Sequence, residues 1–383
     1  MARISFRYAA PMGDRRHFVD EEDVAVLIGR LPEDLLGRLR VVRFDDESRG
    51  GHVAGYTTTR GRREISLCAL PPRKSMTKFL RNSQIPELFG AVRGCQWPST
   101  AIRRYMLYNV FLHELGHLQI IDERAPNPRR KYADETKAQG FAEHWCEELW
   151  AEPFGDGDLV HNPPSEEELR RVRECWKEAQ AEYKKGLAYE SDYLGKGFGK
   201  QRARDLRSLA FMHYDRAVRL YPDHSLALEA LGIITYDTPR ETTRAAALLK
   251  RALRVDPTLR DANLFLGLAL AKQRREPEAR RHLDRAIRLS RHSLGIRSVY
   301  ARVIADWGHV DEARALFDKI MRSKGSRRNE FILFNYERFV KQHDPSALKD
   351  SEISRLFTQP GTEMPQDVTS RYHRGLRMVN RYR

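Results

Sequence analysis

The chain of 383 residues contains little cysteine and no long apolar run. Its four cysteines lie far apart and form no Cys-x-x-Cys pair, which argues against a disulfide scaffold and a zinc-finger module. No run of about 18 apolar residues is present, so the sequence predicts no transmembrane helix and no membrane partner. Residues 1–23 carry frequent charges and no apolar core, so we expect no secretory signal. These absences favour a reduced, cytoplasmic protein.

Positive charge is the most conspicuous bulk property. The chain has 68 Lys and Arg residues against 53 Asp and Glu residues, which gives a net charge of +15. Such a balance can indicate a polyanionic partner such as nucleic acid. However, the basic residues are spread along the whole chain, so nucleic acid ranks behind protein and peptide partners.

Three short segments in the first 70 residues have the composition of β-strands. Segments 39–45, 52–58 and 63–70 are rich in β-branched residues or alternate in polarity, and residues 60–62 suit a turn between the last two. Residues 73–98 contain several helix breakers and favour a loop with one short helix. We therefore expect a small sheet before residue 98.

Three helices are predicted after this sheet. The first, from about 100 to 122, is apolar on most sides and has Ser99 or Thr100 as its N-cap, so we expect it to be buried. The second runs from about 132 to 150. The third begins after Ser165, which opens a capping box.

The second half of the chain contains an internal repeat, after a glycine-rich boundary at 195–199. Similar segments recur at nearly constant spacing, at 217–222, 252–257 and 286–291. The small residues that recur in step with them are Gly232, Gly267, Ala301, Ala245, Ala279 and Ala313. A period of about 34 residues with small residues at helix crossings is typical of tetratricopeptide repeats. Segment 204–325 resembles them, which implies an all-α solenoid with a concave groove.

His113-Glu114-Leu115-Gly116-His117 matches the pattern H-E-x-x-H inside the predicted buried helix. Positions i and i+4 share a helix face, so both imidazoles can bind one metal ion. Zinc lowers the pKa of a water molecule, and Glu114 can remove the proton of that water as it attacks a carbonyl group. The sequence therefore predicts Zn2+ held by His113 and His117, with Glu114 as general base. Ordinary core histidines are the alternative interpretation.

Catalytic zinc normally has three protein ligands, so a third is needed. The metzincin pattern fails, because Ile120 and Glu123 stand where it requires Gly and His. Glu135 lies 18 residues after His117, which is enough for a loop and a returning helix. Glu135 is the preferred third ligand. The remaining candidates are Glu123, Glu143, His144 and Glu147.

The second helix completes a resemblance to a known class. Glu135, Ala138 and Ala142 share one face, and the two alanines allow close packing against the first helix. The run E-x-x-A-x-x-F-A resembles the corresponding helix of cytosolic ImmA/IrrE-type peptidases. More broadly, H-E-x-x-H followed by a Glu on a second helix resembles the gluzincin metallopeptidases. The resemblance covers about 101–145 and implies an α+β zincin-like domain with Glu135 as the third zinc ligand.

Two supporting roles have several candidates. Several gluzincins carry an Asp four residues after the ligand Glu, where it holds a zinc-bound His, but this chain has Gln139 there. Asp134 or Asp122 could take that role instead. The candidates for stabilising the oxyanion are Tyr132, His144 and His161.

The leading hypothesis is a zinc-dependent metallopeptidase that hydrolyses peptide bonds, with a helical repeat domain that binds a substrate or a protein partner. The predicted domains are a zincin-like domain at 1–198, a tetratricopeptide-like domain at 199–345 and a basic tail at 346–383. One alternative is a non-catalytic scaffold with a closed, four-ligand zinc site. Another is a nucleic-acid-associated protease of the SprT-like kind. It ranks behind, because those enzymes complete the site with a His and none lies between His117 and His144.

Overall fold

The computed structural model of the protein describes residues 4–9, 15–46, 54–58, 63–70, 85–119, 134–155, 158–195, 200–238, 240–290, 293–323, 326 and 329–345. The chain divides into two compact units. The first unit consists of Met1–Ala181, Arg216–Ser225 and Ala252–Thr258, and the second of Glu182–Asp215, Leu226–Arg251 and Leu259–Arg383. The predicted domain bounds near residues 198 and 345 stay predictions, and the tail at 346–383 lies outside the described residues.

The first unit contains a small mixed sheet. Its strands are β1 (Ser5–Tyr8), β2 (Val41–Asp45), β3 (Gly55–Thr58) and β4 (Glu64–Cys68). Their spatial order is β1-β2-β4-β3, with β1, β2 and β4 parallel and β3 antiparallel to β4. The three predicted strands are confirmed. Strand β1 was not predicted; it has only four residues.

The first unit also contains seven described α-helices. They are α1 (Glu21–Ile28), α2 (Glu33–Leu36), α3 (Ser99–Arg104), α4 (Leu112–Gln119), α5 (Glu135–Ala151), α6 (Glu166–Arg171) and α7 (Lys177–Gly195), the last of which continues into the second unit. A short 3-10 helix occupies Pro86–Phe89, and π-helical segments occupy Tyr105–Phe111 and Val172–Trp176. The α+β character expected for the N-terminal part is confirmed.

The predicted buried helix runs without a break from Ser99 to Gln119, through α3, the first π-helical segment and α4. Leu107, Phe111 and Leu115 are fully buried along it and belong to the same core as the sheet. Burial of these side chains stabilises the fold by about 25 cal/mol for each Å² of apolar area removed from water. The π-helical segment was not predicted, because widening of a helical turn leaves no mark on apolar periodicity.

One buried cation on this helix is neutralised by a distant carboxylate. The side chain of Arg104 is only 2% exposed, and its two terminal nitrogens each lie 2.8 Å from a carboxylate oxygen of Glu168 in α6. A paired, two-pronged contact of this kind is what allows a guanidinium group to be buried.

The helix ends differ in part from the predictions. The N-cap of α3 is Pro98, and Ser99 is already helical, so the predicted cap at Ser99 or Thr100 is wrong. The ring of Pro98 fixes its φ near the helical value, whereas its ψ of 154° is extended, so the helix begins at the next residue. The cap at Ser165 is confirmed, because its side chain accepts a hydrogen bond from the Glu168 amide. Helix α5 begins at Glu135, with Asp134 as its cap.

Helices alone form the described part of the second unit. From residue 200 onward the chain forms α8 (Lys200–Leu220), α9 (Ser225–Tyr236), α10 (Thr242–Val255), α11 (Arg260–Lys272), α12 (Glu276–Leu289), α13 (Leu294–Asp306), α14 (Val310–Met321) and α15 (Glu330–His343). Residues 216–220 of α8, residue 225 of α9 and residues 252–255 of α10 belong to the first unit. Short connections join these helices, so that they form successive antiparallel hairpins, as the repeat predicts. The tetratricopeptide assignment itself stays a prediction.

Small residues mark the places where these helices cross. A Cβ atom added at Gly232 would lie 2.8 Å from Cγ of Leu249, and one added at Gly267 would lie 2.7 Å from Cγ of Leu283. Both distances are shorter than van der Waals contact allows. The predicted role of these two glycines in close helix packing is therefore confirmed.

Two exclusions made from the sequence agree with the described structure. All four cysteines are free thiols. Among the described residues, no helix combines the length and the apolar character needed to cross a bilayer.

Candidate metal centre

The two histidines of the H-E-x-x-H motif lie one helical turn apart on α4. Their rings are nearly perpendicular, with centroids 4.8 Å apart. Nε2 of His113 and Nε2 of His117 are 3.1 Å apart. The i, i+4 spacing thus brings the two nitrogens to one point, as expected from the sequence.

Glu135, the first residue of α5, brings a carboxylate to the same point. Its Oε2 atom lies 3.0 Å from Nε2 of His113 and 3.6 Å from Nε2 of His117. Among the described residues, these three form the one group of His, Cys, Asp and Glu side chains arranged to hold a metal ion. The predicted ligand set is therefore assembled in space, while its metal-binding role stays a prediction.

Close helix packing places Glu135 there. A Cβ atom added at Gly116 would lie 3.1 Å from the backbone oxygen of Ala138 and 3.2 Å from its Cα atom. Ala138 and Ala142 are fully buried at this crossing. Because all three positions are small, α5 approaches α4 closely enough for its first residue to reach the two imidazoles.

The donor set and its spacing fit a zinc ion. Zinc bound by nitrogen and oxygen at about 2.0–2.1 Å in a tetrahedron separates its ligand atoms by roughly 3.3 Å, and the three observed separations are 3.0, 3.1 and 3.6 Å. Two imidazole nitrogens facing each other at 3.1 Å also need a proton or a cation between their lone pairs. The side chains of His113 and His117 are 18% and 10% exposed, whereas that of Glu135 is 75% exposed. The centre is thus open to solvent on the glutamate side.

Glu114 lies apart from the ligand set and is buried, with 8% exposure. Its Oε2 atom and its backbone oxygen each lie 2.8 Å from the hydroxyl oxygen of Thr57 in β3. Burial raises the pKa of the Glu114 carboxyl group above its usual value; the Thr57 hydrogen bond and the nearby His117 oppose the rise, and the Glu135 carboxylate adds to it. A raised pKa brings a carboxylate closer to the basicity that a general base needs near neutral pH.

Strand β3 packs closely against the helix that carries Glu114 because residue 55 is a glycine. A Cβ atom added at Gly55 would lie 2.6 Å from Cγ1 of Val110 and 3.2 Å from Cγ of Glu114. Gly55 and Thr57 are two residues apart, so both face α4. Neither residue was singled out from the sequence. Their spacing of two residues indicates that they share one face of the strand, but it does not indicate which helix that face contacts.

The other ligand candidates are placed elsewhere. Glu143, His144 and Glu147 are exposed on α5 and do not belong to the three-residue group. Glu123 lies outside the described residues.

The predicted supporting residues do not contact the histidines. The side-chain amide of Gln139 donates to Glu143 at 2.9 Å and lies 3.3 Å from Asn109. Asp134 accepts a hydrogen bond from the amide of Lys137, so its carboxylate caps α5. Asp134 therefore does not hold a motif histidine in the described structure, and neither does Gln139, because each side chain is used within or beside its own helix. Asp122 lies outside the described residues.

The described candidates for stabilising the oxyanion, His144 and His161, also lie outside the three-residue group. His161 is buried, with 3% exposure, and its Nδ1 atom lies 3.0 Å from the hydroxyl group of Tyr108. Burial lowers the pKa of this histidine, so it is a neutral core residue. His144 is exposed beside Trp145. Tyr132 lies outside the described residues.

Comparison of the chain with protein-family models and with curated proteins finds no match.

Proposed function

We propose that this protein is a zinc-dependent metallopeptidase of the gluzincin type, with His113, His117 and Glu135 as metal ligands and Glu114 as general base. The observation that carries the proposal is the convergence of three ligand atoms at 3.0–3.6 Å beside a separate buried carboxylate. A site that only stabilised the fold would have no use for that carboxylate. The exposed side of Glu135 leaves room for a substrate.

A bound zinc ion would supply Lewis acidity to a water molecule and to the carbonyl group of the substrate. The Glu114 carboxylate accepts the proton that the attacking water loses and delivers it to the leaving amine. The hydroxyl group of Thr57 orients that carboxylate from the neighbouring strand. His113 and His117 would present Nε2 to the metal from two nearly perpendicular rings on α4.

The sheet supports a peptide as substrate. Strand β3 lies at one edge of the described sheet and touches the helix that carries Glu114. An extended peptide can add to such an edge through main-chain hydrogen bonds, which would bring a scissile bond alongside the motif. The helical hairpins of the second unit would hold a substrate or partner protein.

Metal content tests the ligand set. We expect close to one zinc per chain, by elemental mass spectrometry, in the purified wild-type protein, and a large loss in Glu135→Ala. Glu143→Ala is the matched control, since Glu143 is exposed on the same helix and outside the group; it should retain the metal. No zinc in the wild-type protein after metal-replete preparation would overturn the proposal.

Hydrolysis tests the role of Glu114. Glu114→Gln should keep its zinc and lose at least about a hundredfold in cleavage of labelled casein. The same variant can trap substrates for identification from a lysate. A Glu114→Gln protein that cleaves as fast as the wild type would remove the role of Glu114 as general base. A wild-type protein that holds zinc and cleaves nothing would favour the non-catalytic scaffold instead.

A further inference from the structure

The second unit contains a strongly basic cavity of about 660 Å³. It is formed by residues of α9, α11, α13 and the turns that follow them, with one residue each from α8, α10 and α15. Its cations are Arg207, Arg240, Lys272, Arg274, Arg302 and Arg338. Two carboxylates, those of Asp237 and Asp306, line it as well, so the cations exceed the carboxylates by four.

Both carboxylates are already engaged. A terminal nitrogen of Arg302 lies 3.2 Å from Asp306, and its side chain is only 13% exposed. A terminal nitrogen of Arg207 lies 3.7 Å from Asp237. Within the described part of the chain, the other four cations form no ion pair with a carboxylate. The cavity therefore holds four positive charges that lack a counter-charge.

Two of these cations are held in an unusual backbone conformation. Arg240 and Arg274 have φ values of 66° and 59°, in the left-handed region that glycine and asparagine normally occupy. They lie one repeat period apart and follow equivalent helices, and the equivalent position of the next repeat is Gly308, with φ of 99°. The turn thus requires a left-handed residue each time, and glycine meets that need away from the cavity lining. Arginine at the two positions that line the cavity points to a use for its side chain.

We propose that this cavity binds a compact small molecule that carries at least two phosphate groups. Two phosphate groups bring about three to four negative charges near pH 7, which matches the unpaired excess. Guanidinium groups pair with phosphate oxygens through two parallel hydrogen bonds. The volume also lies inside the range of about 300–1,000 Å³ found for small-molecule sites.

An acidic peptide fits the cavity less well. Four carboxylates on one face of an extended peptide span about 20 Å, whereas a cavity of 660 Å³ is about 11 Å across if spherical. The ammonium group of Lys272 covers one face of Tyr236 at 3.7 Å, and Tyr236 is buried, so that ring offers a nucleic-acid base little stacking surface. The compact, highly charged ligand is therefore favoured.

Calorimetric titration of the full-length protein with inorganic pyrophosphate tests this assignment. We expect saturable binding at low ionic strength, with a dissociation constant below about 1 mM. The double variant Arg240→Asn, Arg274→Asn should bind at least about tenfold more weakly. Asparagine accepts the left-handed backbone, so the turns are kept. Arg338→Gln, in ordinary helical backbone, should also weaken binding.

A matched control lies in the first unit. Arg63 is exposed and has φ of 46°, so Arg63→Asn removes the same charge from the same kind of backbone. Its pyrophosphate affinity should equal that of the wild type. The proposal is overturned if pyrophosphate shows no saturable binding, or if the double variant binds as tightly as Arg63→Asn. It is overturned equally if hexaglutamate or a short RNA binds more tightly than pyrophosphate and loses affinity in the double variant. The result does not depend on whether the protein hydrolyses peptides.

Discussion

Gly116 lies where α4 crosses α5, and replacing it with alanine tests how the candidate metal centre is built. The new Cβ atom would meet the backbone oxygen and the Cα atom of Ala138 at 3.1 and 3.2 Å, and Cβ of Phe141 at 3.2 Å. Two of these three atoms belong to backbone, which cannot rotate away. The helices must therefore separate by a few tenths of an ångström.

The size of the effect follows from two opposing contributions. Overpacking of a well-filled core costs about 1–3 kcal/mol, while exchanging glycine for alanine inside a helix contributes about 1 kcal/mol of stability. Gly140→Ala isolates the second contribution, because Gly140 is in α5 and a Cβ atom there meets nothing within 4 Å. We expect Gly116→Ala to be less stable than Gly140→Ala by about 1–3 kcal/mol.

Urea unfolding followed by tryptophan fluorescence measures this difference, as a change in midpoint at constant slope. Zinc content is a second readout. Because Glu135 begins the displaced helix, Gly116→Ala should also retain less metal than Gly140→Ala. Equal stability of the two variants, or a more stable Gly116→Ala, would refute the close-packing argument.

Three further predictions concern single contacts. Thr57→Val removes the hydroxyl group 2.8 Å from the Glu114 carboxylate, and metal-free protein should lose about 1.5–3 kcal/mol of unfolding free energy in urea titration. Gly267→Ala should lower the melting temperature, and adding Leu283→Ala should cost less than the sum of the two single changes, because the two groups collide. Burial lowers the pKa of His224 to about 3. Unfolding therefore takes up a proton below about pH 6.5, and His224→Phe should reduce the loss of unfolding free energy between pH 6.5 and 5 by about 2 kcal/mol.

Each of these variants has a control. Thr58→Val changes the neighbouring residue of the same strand and should cost less than Thr57→Val; the reverse order would remove the role of the hydroxyl group. Strict additivity in the Gly267 cycle would mean that the helices do not meet there. His144→Phe changes an exposed histidine and should leave the acid dependence intact. If the unfolding free energy of His224→Phe fell with pH as steeply as that of the wild type, this histidine would be protonated in the folded protein.

Local patterns identified the elements of the candidate site. The i, i+4 spacing of His113 and His117 brings their nitrogens to one point on any helix, and so does not depend on the rest of the fold. The choice of Glu135 relied on a short loop and a returning helix with small residues at Ala138 and Ala142, and its placement agrees with the structure. Small residues likewise marked the helix crossings of the second unit.

The supporting contacts did not follow from the sequence. Asp134 was a candidate for holding a zinc-bound histidine, and Gln139 stands where several gluzincins place the Asp that does so, but each bonds within or next to α5. Asp134 stands at the helix start, where a short polar side chain usually bonds the helix backbone, and Gln139 bonds Glu143 one turn along the same helix. Strand β1 was missed as well, because its parallel partner β2 is a segment far along the chain, beyond α1 and α2.

The candidate ligands, the helices of the second unit and the packing of helices through glycine could be predicted from the sequence, since all of these depend on spacing along one or two neighbouring elements. The tertiary structure alone decided which groups meet across elements. It placed Thr57 on Glu114, and it paired Arg104 with Glu168. It also collected the unpaired cations of the second unit in one cavity. Such contacts join residues far apart in the chain, and their geometry depends on how whole helices and strands pack.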